Sequence, residues 1–317
     1  MHRTYDYIII LILYIYFTQP ITAPTTNNGD VMESNMQKKL FLGAHMSITG
    51  GIDRSLEAAA SIGCTALQIF TSSNRSWTTK SLTDEDIERV TIKQKEYNLP
   101  IVSHCSYLIN LASPSKSVQK NAYKSLVQEL KRCHQLGIQY TVLHPGSRLD
   151  SPEDKALQQV ATLLDEAFLE TNNDVMILLE TMAGQGTSIG GTFEQLGYLR
   201  NLIQQKKSVG ICADTCHLFA QGYDLRTSEN YEKVWENFDK EIGIKHLKVI
   251  HLNDSKKDLG SHVDRHEHIG KGKIGIEGFR MLMNDPRFES TIKILETPKS
   301  SLNDDLINLT TLKRLIK

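Results

Sequence analysis

Histidine and carboxylate side chains recur along this 317-residue chain at the ends of short apolar runs. Six of them directly follow six successive runs: His104, His144, Glu180, Asp214, His251 and Glu296. Three more stand nearby: His217, shortly after Asp214, and the pair Asp264 and His266 in the run HVDRHEHIGKGKIG. The chain has only eleven histidines. We therefore interpret the nine residues together as metal ligands and not as isolated structural histidines.

The donor types indicate the kind of metal and the kind of chemistry. Nitrogen and oxygen donors without a required thiolate suit Zn²⁺ or Mn²⁺ in an open catalytic site. A catalytic ion that keeps a position for water or substrate needs about three protein ligands, so nine ligands predict two or three ions. Adjacent divalent ions suit phosphoryl chemistry, because they generate hydroxide near neutral pH and stabilise charge on the attacking and leaving oxygens.

The overall charge excludes a broad basic surface for nucleic acid, since 36 Lys and Arg stand against 37 Asp and Glu. Any anion site must therefore be local. Three divalent ions would bring six positive charges to four ligand carboxylates and make such a site cationic. The five cysteines form no C-x-x-C pair. We expect them to be reduced core thiols.

From Leu40 onward, short apolar runs alternate with longer amphipathic stretches. The runs predicted as strands are Leu40–Ala44, Ala66–Phe70, Ile101–Ser103, Tyr140–Leu143, Met176–Leu179, Val209–Ala213, Leu247–Ile250 and Ile292–Leu295. Their nearly continuous apolar character is typical of parallel strands that are buried on both faces. The predicted helix starts are Thr83 with Asp86, Ser151 before Pro152 and Asp154, and Thr192 with Gln195.

Eight strand-then-helix units predict an α/β protein with one TIM (β/α)8 barrel domain at residues 37–317, with a doubly wound sheet as the alternative. Either fold places its active site at the carboxyl ends of the strands, where the nine ligands would meet. Residues 1–36 are predicted as an N-terminal hydrophobic extension. Its apolar run Tyr7–Phe17 resembles a secretory signal, but Met32 or Met36 as the natural start fits equally well.

The sequence resembles the endonuclease IV family of apurinic/apyrimidinic (AP) endonucleases from Leu42 to about Glu296. The resembling runs are LGAHMSITGG, HCSYLINLA, VLHPGS, LLETMAGQG, ADTCHLFAQGYDLRT, HLNDSK, the loop that contains Asp264, and KILETPK, in that order. The resemblance implies a DNA-repair hydrolase with three Zn²⁺ ions per chain, with Mn²⁺ possible at one site. Such an enzyme cleaves the phosphodiester 5′ to an abasic site in duplex DNA, leaving a 3′-hydroxyl and a 5′-deoxyribose phosphate. Removal of 3′-blocking groups is also expected.

The resemblance also assigns the site residues. It implies one zinc held by His104, His144 and Glu180; a second, bridged by Glu180, held by Asp214, His251 and Glu296; and a third held by His217, Asp264 and His266. Glu180 and Glu296 are the expected catalytic residues. Arg75, Tyr107 and Leu108 match the positions that fill the gap left by the extruded abasic nucleotide. His45 and Gln68, around the same mouth, are assigned no role, and Lys271 and Lys273 could contact DNA phosphates or simply be solvated.

The expected partner is double-stranded DNA with abasic sites, bound by a monomer without a stable protein partner. The expected location is the cytoplasm or another reducing compartment with DNA, although the signal-like segment leaves export or anchoring open.

Two other classes of protein remain as alternatives: a metal-dependent sugar isomerase or epimerase on the same barrel, and a non-catalytic metal-binding or DNA-binding barrel. An isomerase site needs about four to six ligands, which leaves the third cluster without a purpose.

Overall fold

The computed structural model describes residues 40–77 and 79–317, so the expected N-terminal extension at residues 1–36 lies outside the described residues. Eight parallel strands close into a barrel: β1 (Leu42–Met46), β2 (Ala66–Ile69), β3 (Ile101–His104), β4 (Tyr140–Leu143), β5 (Met176–Glu180), β6 (Val209–Asp214), β7 (Leu247–Leu252) and β10 (Ile292–Leu295). Each barrel strand pairs with the next barrel strand along the chain, and β10 pairs with β1 to close the barrel. The TIM barrel is therefore confirmed, and the doubly wound alternative is wrong.

Helices follow the strands around the barrel. Those in the described part of the chain are α1 (Ile52–Ser61), α2 (Asp84–Tyr97), α3 (Lys116–Gln135), α4 (Glu153–Thr171), α5 (Phe193–Leu202), α6 (Thr215–Gln221), α7 (Ser228–Glu241), α8 (Ile276–Met283) and α9 (Leu302–Lys313). None of these helices is long and apolar enough to span a lipid bilayer. The long loop after β7 carries a two-stranded antiparallel ribbon, β8 (Asp254–Ser255) and β9 (His266–Glu267), which the sequence did not predict.

Two of the three predicted helix starts are confirmed. The Thr83 side chain accepts a hydrogen bond from Asp86 N in a capping box, and the Thr192 side chain accepts one from Gln195 N. The prediction that Ser151 caps α4 is wrong, because the helix begins one residue later, after Pro152, without a side-chain cap. Ser151 N instead donates to Arg148 O and closes the preceding turn.

The strands reach further toward their carboxyl ends than the apolar runs predict. β1 is shifted by two residues, and β3, β5, β6 and β7 continue into the polar residues that follow the runs. The ladder continues there because backbone pairing does not depend on side-chain polarity. Glu180 pairs with Cys212, and Asp214 pairs with His251. These site residues are thus held by the sheet itself rather than by mobile loops.

A small apolar cluster is drawn from the barrel strands alone. Its members are Ala66, Val102, Val142, Leu178, Cys212, Val249, Ile292 and Ile294. Side chains two positions apart on a strand share a face. The residue two positions further along each strand therefore points to the same side of the sheet, at the carboxyl end. A much larger apolar cluster packs the barrel strands together with the helices.

Candidate metal centre

A layer of polar side chains lies directly above the apolar cluster. It consists of Gln68, His104, His144, Glu180, Asp214, His251 and Glu296, each two positions after a member of that cluster, together with His45 on β1. Most of them are buried: Glu180, Asp214 and His251 have no exposed surface. Buried charges require partners. The layer is therefore either a network of ion pairs or a metal site.

Glu180 is at the centre of this layer, with histidine nitrogens around both of its oxygens. Its Oε2 lies 3.2 Å from His104 Nε2 and 3.0 Å from His144 Nε2. Its Oε1 lies 3.0 Å from His251 Nδ1 and 3.5 Å from His217 Nδ1. One oxygen therefore faces each of two neighbouring donor groups, which is the arrangement of a carboxylate that bridges two cations.

Among the described residues, three sets made only of histidine and carboxylate donors lie close enough to share an ion. They are His104, His144 and Glu180; Glu180, Asp214, His251 and Glu296; and Asp214, His217 and His266. Asp264 adjoins the third set, with its Oδ2 3.1 Å from His217 Nε2 and its Oδ1 3.2 Å from His266 Nε2. The structure thus brings together all nine residues that the sequence indicated as ligands. Asp214 lies between the second and third sets.

Hydrogen bonds to oxygen acceptors determine which nitrogen of several histidines faces the centre. His104 Nδ1 donates to Cys105 O, His217 Nδ1 to Thr181 O and His266 Nδ1 to Glu296 O. A carbonyl oxygen only accepts, so each Nδ1 carries hydrogen and each Nε2 is left to face a carboxylate. A lone pair and a carboxylate oxygen about 3 Å apart repel unless a proton or a metal ion lies between them.

The third donor set favours a metal in that position. The Nε2 atoms of His217 and His266 are buried and make no hydrogen bond of adequate geometry, although Asp264 oxygens lie 3.1 and 3.2 Å away. A buried nitrogen without a partner is costly. Imidazole nitrogens and carboxylate oxygens are donors that zinc accepts, and a second ring nitrogen bonded to a carbonyl is typical of histidine ligands. The residues therefore fit the expected metal.

Charge coupling within the cluster shifts several pKa values strongly. Burial alone would raise the pKa of Glu180, but the neighbouring His251 and His144 hold it well below its ordinary range. Burial would likewise lower the pKa of His266, but Asp214 and Asp264 raise it to about 9. Asp214 and Asp264 also outweigh the effect of burial on His217, and its pKa is raised well above its ordinary value. Without metal, these histidines hold protons that a bound metal would displace.

The sequence assigned no role to the polar residues around the ligands: it placed His45 and Gln68 at the mouth, and it did not identify Asn253 or Thr181. Asn253 Nδ2 donates to Asp214 Oδ2 at 2.7 Å, and its Oδ1 accepts from Glu296 N at 2.9 Å. Thr181 Oγ1 accepts from Asp214 N at 3.0 Å. Gln68 contacts His45, His251 and Glu296. Strand periodicity could have indicated that Gln68 faces the ligands, because it lies two residues after the apolar Ala66. No local pattern distinguishes Asn253 or Thr181.

The three residues expected to enter DNA lie at the rim of this layer. Tyr107 is 55% exposed, yet its ring centroid is 5.2 Å from that of His104 and 5.3 Å from that of His144. Leu108 beside it is half-buried, and Arg75 is exposed. Ser106 Oγ donates to Asn74 O at 3.0 Å and connects the two loops. The structure thus brings all three to the mouth of the barrel.

All five cysteines are buried and free, as expected for packed thiols. Cys212 lies beneath Glu180 and His251 and could supply a sulfur donor, and Cys216 adjoins Asp264 and His266. Burial raises the pKa of the Cys212 thiol to about 12, and burial also raises the pKa of Cys216. Neither thiol is activated as a nucleophile by its surroundings.

Comparison with known proteins agrees with this geometry. The family described as "Xylose isomerase-like TIM barrel" matches residues 56–315. A "Probable endonuclease 4" from Chloroflexus aurantiacus is 45% identical over 278 residues, covering 87% of this chain and 98% of that protein. An "Apurinic-apyrimidinic endonuclease" from Caenorhabditis elegans is 40% identical, covering 88% and 71% of the two chains. The crystal structure of endonuclease IV from Thermus thermophilus superposes with a TM-score of 0.77 at 33% identity, covering 86% and 98%.

Proposed function

Because the chain belongs to the endonuclease IV family of AP endonucleases and is a hydrolase, we propose that it cleaves the phosphodiester 5′ to abasic sites in double-stranded DNA. Water adds to phosphorus and the bond to the 3′-oxygen breaks. The products are therefore a 3′-hydroxyl and a 5′-deoxyribose phosphate. A blocking group esterified to a terminal 3′-oxygen presents the same bond, so we include removal of such groups in the proposal.

The position of Glu180 carries this proposal. Its two oxygens each face a different group of histidine nitrogens, at 3.0 to 3.2 Å for the closest three. Such a carboxylate suits two adjacent cations, and Asp264 with His217 and His266 forms a further donor group beside them. Three Zn²⁺ ions per chain, with Mn²⁺ possible at one site, would supply a hydroxide near neutral pH and charge stabilisation for the phosphate oxygens.

The two catalytic carboxylates differ in access to the mouth. The Glu180 side chain is fully buried, so we assign it the bridging position between the first two donor groups. The Glu296 side chain is 11% exposed, and its Oε2 lies 3.1 Å from His251 Nδ1. We assign Glu296 Oε2 to the second donor set, where it would help to hold the metal that activates the attacking water.

Recognition of the lesion would depend on the rim residues. Extruding an abasic nucleotide costs less than flipping a normal one, because no base pair or stacked base is lost. We propose that Arg75, Tyr107 and Leu108 occupy the resulting gap in the duplex. The contact between Ser106 and Asn74 keeps their two loops adjacent, which supports a joint role. Tyr107 also lies against two ligand histidines and so would connect the gap to the reacting phosphate.

A cleavage assay on a duplex oligonucleotide with one abasic site tests the proposal. The metal-loaded protein should cut 5′ to the site and leave an end that a polymerase extends, and a strong chelator should abolish the cut. A sugar isomerase or a non-catalytic barrel would leave the duplex intact. Absence of cleavage by protein with a full complement of zinc would overturn the proposal.

Two substitutions separate DNA recognition from metal binding. Arg75→Ala should weaken binding to the abasic duplex about tenfold while metal content stays unchanged. His104→Ala should lose metal, because it removes one of three donors from the first set. Arg314→Ala, an exposed arginine just after α9, is the matched control. Unchanged DNA affinity in the Arg75 variant would remove that residue from the proposed role.

A further inference from the structure

Gln68 is a fully buried side chain on β2 whose amide contacts three residues of the polar layer. Its Nε2 lies 2.6 Å from Glu296 Oε1 and 3.0 Å from His45 Nδ1, and its Oε1 lies 2.8 Å from His251 Nε2. These partners come from three other segments of the barrel, up to 228 residues away in the chain. Barrel closure alone brings them together.

The orientation of this amide follows from its partners. A carboxylate oxygen only accepts a hydrogen bond, so the group 2.6 Å from Glu296 Oε1 must be the NH₂ end of the amide. The carbonyl end then faces His251 Nε2 and requires hydrogen there. The second NH₂ hydrogen points to His45 Nδ1, which accepts it. All hydrogen-bonding groups of the amide that face the layer are thereby used.

This arrangement has two consequences for the second donor set. Hydrogen on His251 Nε2 leaves Nδ1 as the ligand atom, and Nδ1 lies 3.0 Å from Glu180 Oε1 and 3.1 Å from Glu296 Oε2. The bond to Glu296 Oε1 occupies one carboxylate oxygen and turns the other toward His251. A single neutral amide thus selects one donor atom on each of two neighbouring side chains.

We propose that Gln68 is a positioning residue that presents His251 Nδ1 and Glu296 Oε2 to the metal of the second donor set. The inference rests on the proposed metal-dependent function. The Gln68 amide must be uncharged, because a carboxylate at this position would lie 2.6 Å from Glu296 Oε1 and repel it. Outer partners of this kind typically contribute 10- to 100-fold to metal affinity.

The variant Gln68→Met tests the proposal, because it keeps the side-chain length and removes the hydrogen bonds. Asn284→Ala is a matched control: its amide, far along the chain near α8, also makes three hydrogen bonds, to Arg280 O, Leu315 O and Lys317 N. Zinc affinity is measured by competition with chelators of graded strength. We expect one of the bound ions to be held about 10- to 100-fold more weakly in Gln68→Met and unchanged in Asn284→Ala.

A spectroscopic signature separates positioning from a purely structural role. Nitrogen-15 NMR of the zinc-loaded protein should show a protected Nε2 hydrogen on His251, and Gln68→Met should expose that hydrogen to exchange. If the wild-type protein binds zinc and both affinity and the His251 signal are unchanged in the variant, the positioning role is wrong. If the wild-type protein binds no zinc, the proposed function fails first and this inference fails with it.

Discussion

Glu180 is the side chain on which the candidate metal centre depends most. It is fully buried, and four histidine nitrogens lie within 3.5 Å of its two oxygens. A buried carboxylate in that position needs positive charge on both sides. The geometry therefore allows a specific substitution test, because Gln has the same shape and lacks the charge.

Glu180→Gln should lose metal from the two donor sets that share this residue. Metal-ion stabilisation of the transition state amounts to several kcal/mol, so abasic-site cleavage should fall about 10³-fold or more. Metal content by elemental analysis and single-turnover cleavage measure the two effects. Glu129→Gln provides a control, because Glu129 is also buried but accepts hydrogen bonds from Thr71 and Ser103, not from the histidines around Glu180. Equal metal content in both variants would contradict the bridging role.

His266 gives a prediction for pH. Burial alone would lower its pKa, but the charges of Asp214 and Asp264 outweigh burial, so the pKa rises from 6.5 to about 9. In the metal-free protein its ion pairs therefore stabilise the fold fully below about pH 6.5, and this contribution is lost as the pH rises through about 9. Metal must displace the same proton, so affinity should increase with pH up to about 9.

Titration calorimetry in buffers of different ionisation enthalpy measures this proton release. At about pH 7 metal binding should release the His266 proton together with others from the cluster, and at about pH 10 it should release fewer. His246→Asn is the control, because His246 precedes β7 at the opposite end of the barrel and lies outside the donor sets. Metal binding without proton release at pH 7 would show that protons do not occupy these positions.

Six of the nine candidate ligands were predictable from sequence because each stands where an apolar strand ends and the strand period points it inward. The other three, His217, Asp264 and His266, were indicated only by their residue types in the segments that follow β6 and β7. The sequence did not assign a role to Gln68 or Asn253, because no local pattern shows what these two side chains contact. Their importance comes from partners such as His251 and Asp214, to which they are joined only by barrel closure. A glutamine or an asparagine also has many ordinary uses, so its residue type alone indicates little.

At the scale of elements, α3 holds the loop that carries Arg75. Arg132 on α3 is 9% exposed and donates to both ends of this loop: its Nη1 to Lys80 O at 2.8 Å, its Nε to Thr71 Oγ1 at 3.0 Å, and its Nη2 to Thr71 O. Glu129, one turn earlier, also accepts from Thr71 Oγ1 at 2.8 Å. These two buried side chains therefore join the loop to the helix through Thr71 and Lys80.

Arg132→Ala should decrease the free energy of unfolding by about 3 kcal/mol, because it removes three hydrogen bonds made by a buried guanidinium and leaves their acceptors at Thr71 and Lys80 without this donor. The loop between Thr71 and Lys80 should also become more sensitive to trypsin, while metal content stays at the wild-type value. Urea denaturation and limited proteolysis measure these effects. Lys131→Ala is the matched control, since the neighbouring Lys131 side chain is 55% exposed. A variant as stable as the control would mean that the loop is held by other contacts.

Elements were predictable to different degrees. The long apolar runs and the capping residues Thr83 and Thr192 identified strands and helices, because these signals are local. The ribbon of β8 and β9 was not predictable, since two residues per strand carry no periodic pattern. It nevertheless positions His266, which pairs with Ser255 across the ribbon. Asp254 supports the same loop by accepting from Gly272 N and Ile274 N.

At the scale of the whole molecule, the barrel alone does not distinguish a nuclease from a sugar isomerase. The matching family is itself described as xylose isomerase-like. The distinction lies in the relatives of 40 to 45% identity, which are named as endonucleases, and in the extra donors His217, Asp264 and His266. An isomerase of this fold would need only the first two donor sets. That the chain acts as a monomer stays a prediction.

Because the chain is nearly neutral, bound metal ions would be the main source of local positive charge for a DNA phosphate. The most direct test of the account is therefore the metal content of purified protein that cleaves an abasic duplex, measured by mass spectrometry of the elements. We predict about three equivalents per chain, mainly zinc, with activity lost on chelation and restored by zinc. Fully active protein with one equivalent or none would contradict the account.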